Sequence, residues 1–147
     1  MKRIALLLIV VLVVLCIIPF TTVEAPEWEV SVVDKSGKSL GGVNVRESYK
    51  NYSAEQTGGE LTLVTDQRGL VVFPERTIRL SGFKRMIAIA SSATGGVHAS
   101  FGPHAYVFAF GICEGDSVKN GYVEDWTGSP SHNQSTIVCR PLKEGLG

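Results

Sequence analysis

Glu27-Trp28-Glu29-Val30-Ser31-Val32-Val33-Asp34 is the stretch that decides the fold. Trp28, Val30 and Val32 alternate with Glu27, Glu29 and Ser31. A two-residue period of this kind belongs to a strand with one buried and one wet face. Asp34-Lys35-Ser36-Gly37-Lys38 then reads as a turn, because Asp bonds its own backbone locally and Gly accepts positive φ. Leu40-Gly41-Gly42 leads into a second alternating run at Val43 and Val45.

Further along, Tyr49 to Gly59 is polar and reads as a long hairpin or a connection between sheets. Leu61 to Thr65 reads as a strand, Asp66-Gln67-Arg68-Gly69 as a tight hairpin turn, and Leu70 to Phe73 as a strand stopped by Pro74. Thr77 to Leu80 is a further strand candidate. Met86 to Ala90 is apolar on both faces and reads as a central strand, with Ser91 to Pro103 as a Gly-, Ser- and His-containing loop. In Ala105 to Ile112, Tyr106, Phe108 and Phe110 share one face, with Val107 and Ala109 opposite. Glu114 to Gln134 reads as mostly loop, with at most a short strand near Tyr122, and Thr136 to Cys139 as the last strand. Helical spacing is nearly absent after residue 25, so short strands separated by turns predict a β-sandwich.

The N-terminus is different in kind. Met1-Lys2-Arg3 is a short positive segment, and Ile4 to Ile18 carries no polar side chain apart from the thiol of Cys16. Residues 1–25 therefore read as a secretory signal or a membrane anchor, and residues 26–147 as the exported domain. Val23 and Ala25 suit a cut after Ala25, but Pro26 would follow it directly. The uncharged run Ile4 to Val23 would span about 30 Å as a helix, which suits a retained anchor. Both readings stay open. So membrane attachment through residues 4–23, with a periplasmic or extracellular domain, is one alternative and release is the other.

Composition is that of an ordinary globular chain: 147 residues, 44% hydrophobic and 19% charged. The formal net charge is zero, which argues against a general nucleic-acid binder. Beyond residue 25 two cysteines remain, Cys113 and Cys139. An even pair in an exported chain points to a disulfide, and two buried free thiols are the alternative. Asn51-Tyr52-Ser53 and Asn133-Gln134-Ser135 match the glycosylation pattern, which matters only in a eukaryotic source.

Val30-Ser31-Val32-Val33-Asp34, Gly37, Leu40-Gly41-Gly42-Val43-Asn44-Val45 and Thr65-Asp66-Gln67-Arg68-Gly69-Leu70-Val71-Val72-Phe73 together resemble carboxypeptidase regulatory-like domains. That family consists of prealbumin-like sandwiches related in shape to transthyretin. The resemblance covers about residues 28–80 and implies an all-β, immunoglobulin-like prealbumin-type sandwich of about seven strands behind an N-terminal signal or anchor helix. It also implies a non-catalytic module that contacts protein or carbohydrate. Transthyretin-shaped hydrolases close with Tyr-Arg-Gly-Ser, whereas this chain closes with Lys143-Glu144-Gly145-Leu146-Gly147.

No catalytic signature is legible, and no cofactor or metal is expected. His98 and His104 flank one loop but lack an obvious third ligand. A hydrolase or metal-dependent enzyme built from His98, His104 and Asp125 is the alternative to a binding module. Tyr49, Tyr52 and Trp126 lie in segments that read as loops. Exposed aromatics in loops anchor sugars or proteins, unless they fold back to cap the ends of the sandwich. Tyr49, Tyr52, His98, His104 and Trp126 are thus the candidate binding residues.

Overall fold

The computed structural model describes residues 2–114, 125–129 and 132–141. The expected strand near Tyr122 lies outside them. The chain begins with helix α1 (Lys2–Ile17), followed by strands β1 (Pro19–Ala25), β2 (Glu27–Val33), β3 (Asn44–Asn51), β4 (Gly59–Val64), β5 (Leu70–Phe73) and β6 (Arg76–Ser81). Helix α2 (Gly82–Ala93) and a single 3-10 turn (Gly96–His98) come next. They lead to β7 (Pro103–Phe110), β8 (Cys113–Glu114), β9 (Asp125–Trp126), β10 (His132–Val138) and β11 (Arg140–Pro141).

Two sheets face each other across one core. The first has the order β10-β2-β5 and the second β4-β3-β7-β9. β2 pairs antiparallel with β5 and parallel with β10, in register from His132 opposite Glu27 to Val138 opposite Val33. The first sheet contributes Trp28, Val30, Val32, Val71, Phe73 and Ile137 to the core. The second contributes Val45, Ala105, Val107, Ala109 and Trp126. The chain is therefore a mostly-β sandwich, as the alternation in Glu27 to Val33 predicts.

Trp28 is fully buried, and its indole N–H donates to Ser135 Oγ at 2.9 Å, tying β2 to the late strand β10. Ser135→Ala leaves that buried donor without its partner. It should lower the free energy of unfolding by about 1–2 kcal/mol, read as a shifted denaturant midpoint with unchanged slope.

The turns are built as their residues predict. Asp34 Oδ1 accepts from Ser36 N, Ser36 Oγ and Lys38 N, at 2.6–2.9 Å. Asp66 Oδ1 accepts from Arg68 N at 2.8 Å and Leu70 N at 2.9 Å. Gly69 has φ +73°, and a Cβ there would sit 2.6 Å from the Val32 carbonyl oxygen, so glycine is required twice over. The Asp66 turn does not close a hairpin, however. β4 lies in the second sheet and β5 in the first, so the turn carries the chain from one sheet to the other.

Four further expectations are corrected. First, Met86 to Ala90 is not a strand but the middle of α2. Phe83, Met86, Ile87 and Ala90 do keep helical spacing, but this face points outward while Arg85 and Ala88 face the domain. Second, the strand expected over Thr136 to Cys139 is β10, which runs from His132 to Val138 and is followed by the short β11; polar residues occupy the outer positions of β10. Third, the apolar N-terminal run is not one long helix. α1 has 16 residues, about 24 Å, and among the described residues no helix is long and apolar enough to cross a membrane. Pro19 to Ala25 instead forms β1, paired antiparallel with β6 from Pro19 opposite Ser81 to Ala25 opposite Arg76. Ala25 is fully buried in the common core. Fourth, Asn51 is 1% exposed and its side-chain oxygen accepts from Ser53 N at 3.1 Å, so this acceptor is closed to glycosylation in the folded domain.

Cys113 and Cys139 are joined by a disulfide. It closes a 26-residue separation and lies beside the short β8–β11 ladder, so it fastens the late part of the chain to the end of β7.

Candidate binding cleft

β3 and β7 pair over eight positions, from Asn44 opposite Phe110 to Asn51 opposite Pro103. The inward face of β7 is small and apolar (Ala105, Val107, Ala109), which turns Tyr106, Phe108 and Phe110 onto its other face. Aromatics on a strand usually face the core. Here β-branched side chains and Trp28 already fill it, leaving only small residues room from β7.

At the Asn51 end of this ladder an open cleft of about 430 Å³ is lined by Ser48, Tyr49, Lys50, Tyr52, Glu60, His104 and Tyr106, with Gly58 and Gly59 as its floor. Tyr52 is firmly placed. Its backbone N–H donates to the Gly102 carbonyl at 2.9 Å, and its own carbonyl accepts from Ser92 Oγ at 2.7 Å. Its ring meets that of His104 edge to face, with centroids 5.3 Å apart, and Lys50 Nζ lies 4.7 Å from the ring centroid. His104 Nε2 is 3.2 Å from the Phe101 carbonyl oxygen. A carbonyl only accepts, so this contact selects the tautomer protonated at Nε2. Tyr49 lies across Gly58 and Gly59: a Cβ on Gly59 would sit 2.5 Å from the Tyr49 hydroxyl oxygen. The glycine pair is thus explained by close approach of the Tyr49 side chain and backbone.

A second cleft of about 360 Å³ adjoins the first, sharing Lys50 and Tyr52 and reaching His98, Ser91, Ser92 and Ser100. The candidate residues therefore sort cleanly. Tyr49, Tyr52 and His104 come together in the first cleft, and His98 lines the second beside Tyr52. Trp126 does not join them. It is 2% exposed, sits opposite Ala105 in the β7–β9 register, and belongs to the core. Asp125 is exposed and pairs with Tyr106 in the same register. Among the described residues no group of three or more His, Cys, Asp or Glu side chains is placed to hold a metal ion.

On the inward face of β3 lies a feature that the polar surroundings hide in the sequence. Glu47 is fully buried, and neither carboxyl oxygen has a hydrogen-bond partner among the described residues. Arg76 Nε approaches Oε2 only to 3.7 Å, longer than a hydrogen bond, while its guanidinium stacks 4.9 Å from the Tyr49 ring centroid. Burial pushes the Glu47 carboxyl up to about 7, against the opposing pull of Arg76. Glu24 on β1 is also raised to about 7, by burial first and then by its hydrogen bond to, and the charge of, Glu55. Arg76 again opposes the rise. The signal for Glu47 is present in the sequence: Val43, Val45 and Glu47 share the inward parity of β3.

No family model matches the chain, and no curated protein matches it. Among solved structures, those of the shaft pilin SpaA from Lactobacillus rhamnosus GG match this chain weakly. The unmutated pilin is 11% identical with a TM-score of 0.28, covering 82% of this chain and 47% of the pilin chain. A point-mutant form is 11% identical with a TM-score of 0.29, covering 82% of this chain and 52% of the pilin chain. This chain thus spans about half the length of those pilins. At such scores and identities the likeness assigns neither family nor role.

Proposed function

We propose that the chain is an exported, non-catalytic binding module of the cell envelope, held at the outer face of a membrane by a retained N-terminal segment. The cleft around Tyr52 is its ligand site. One observation carries the binding role: tyrosine and histidine rings, a lysine and a glutamate converge in an open cleft on a rigid sandwich end. That mixture stacks and hydrogen-bonds a sugar ring or a peptide side chain. The Cys113–Cys139 disulfide supports an oxidising compartment. Retention is supported by β1, because a cut after Ala25 would remove the partner strand of β6. In this reading α1, too short to cross a bilayer, is embedded in the membrane from its outer face, and the sandwich starts at Pro19. The tight turn at Asp34 after β2 supports the prealbumin-type, carboxypeptidase regulatory-like assignment.

The test is a titration of the protein with a panel of envelope oligosaccharides and short peptides, followed by NMR. Ring signals of Tyr52 and His104 should shift, and Tyr52→Ala should weaken affinity by about tenfold, the loss of one stacked aromatic anchor. Binding that leaves these rings unshifted and survives Tyr52→Ala would sink the assignment of this cleft, as would a panel without a binder.

A further inference from the structure

The outward face of α2 is apolar, the reverse of an ordinary surface helix. Phe83, Met86 and Ile87 are 56%, 54% and 48% exposed, and Ala90 continues the same stripe. The polar residue Arg85 faces inward, where it is 8% exposed. Its Nη2 donates to the Phe20 carbonyl at 3.1 Å and its guanidinium lies 4.1 Å from the Phe20 ring centroid. This clasp fixes α2 to β1 just where α1 leaves the sandwich, since Pro19 pairs with Ser81 and α2 starts at Gly82. α1 lies against α2, and Ile4, Leu6, Leu8 and Val10, which point in different directions around α1, are each more than half exposed.

We propose that α2 is a second membrane-contacting element: its Phe83–Met86–Ile87–Ala90 face lies in the bilayer interface beside the inserted α1. The inference rests on the retained anchor proposed above and adds a surface to it. Two observations select lipid over a second copy of the chain. The apolar exposure of α1 runs all the way around, which suits a surrounding solvent of lipid and not a single docked face. The charges are also one-sided: neither helix contains an acid, no acid occurs from Arg76 to Cys113, and Lys84 is an exposed cation beside the apolar face of α2. Such a surface complements anionic headgroups, with apolar side chains entering the acyl boundary. Seated this way, α2 holds the sandwich to the membrane at two points and restricts its swing about residue 18.

The experiment uses the full chain with Cys16→Ala and one new cysteine at a time: Val10→Cys in α1, Ile87→Cys or Met86→Cys on the α2 face, and Gln67→Cys on the exposed Asp66 turn. Each carries an environment-sensitive fluorophore and is reconstituted into vesicles of equimolar phosphatidylcholine and phosphatidylglycerol. A nitroxide-labelled lipid serves as quencher. The proposal expects several-fold quenching at residues 10, 86 and 87, and none at 67. Quenching at 10 alone overturns the role of α2 while leaving the anchor in place. Quenching at neither 10 nor the α2 positions overturns both. Label self-quenching at 87 that persists on dilution with excess lipid also overturns the proposal, because a second copy would then cover this face.

Discussion

A chain that starts at Pro26 should be less stable than one that starts at Pro19 by about 5 kcal/mol. Each ladder hydrogen bond lost between β1 and β6 costs roughly 1 kcal/mol. β1 and β6 share six register positions. A loss of this size equals the whole net stability of many small domains, so the shorter chain should be largely unfolded at room temperature. Three consequences of the cut act together. β6 loses its ladder partner, Ala25 leaves the core, and Arg85 loses the Phe20 carbonyl that docks α2. Removing only residues 1–18 spares all three, so urea unfolding of the two truncated chains isolates the contribution of β1. Equal midpoints would show that β1 is an appendage and not part of the fold.

Glu47→Gln should stabilise the protein above neutral pH by up to about 3 kcal/mol, the worth of a carboxyl moved from its usual 4.5 to about 7. The folded pKa lies above the unfolded one, so between these values the folded state binds more protons. Stability is therefore highest at the acid end, falls as pH rises from about 4.5 to about 7, and is flat above that. Glu24 acts in the same direction, so the variant should retain part of the slope. The Arg76 side chain is 30% exposed, but its Nε, which faces Glu47, is buried without a hydrogen-bond partner, so the introduced amide oxygen must stand in for the carboxylate there. Thermal unfolding of both proteins across this range reads the effect. Near pH 4 the two should melt alike, since Glu47 is already neutral. A stability that rises with pH through this window would mean that Arg76 satisfies an ionised Glu47.

The half of the fold carried by strict alternation was open to reading. Glu27 to Val33 has one apolar parity and Asp34 and Asp66 each mark a turn, and all of these stand in the structure. Two places misled, each for its own physical reason. α2 has helical spacing at Phe83, Met86, Ile87 and Ala90, but this stripe is the exposed one, so a search for core-facing patterns passes over it. Residues 19–25 follow an apolar leader and share its character, yet Pro19 ends the helix and the β-branched Thr21, Thr22 and Val23 favour a strand. Partners distant in sequence are the remaining gap. The parallel β2–β10 pairing and the approach of Arg76 to Glu47 depend on how the sheets assemble, which no local pattern encodes.

The cleft residues were legible by type but not by grouping. Tyr52 and His104 converge because the β3–β7 register sets Lys50 opposite His104 just before Tyr52, whereas Tyr49 lies opposite Ala105 on the inward parity and lines the cleft from its edge. Trp126 reads as a loop aromatic, but β9 is so short that nothing before it announces a strand. Its indole enters the core from there.

The retained N-terminal segment is the claim on which the membrane-held module depends. Intact mass of the native protein, taken unreduced after thiol blocking, tests it most directly. The expected result is a chain that still includes residues 1–25, with Cys113 and Cys139 unblocked because they are paired. A mass beginning at Pro26 on a folded, soluble protein would contradict the account, because that protein would stand without β1 and carry no tether.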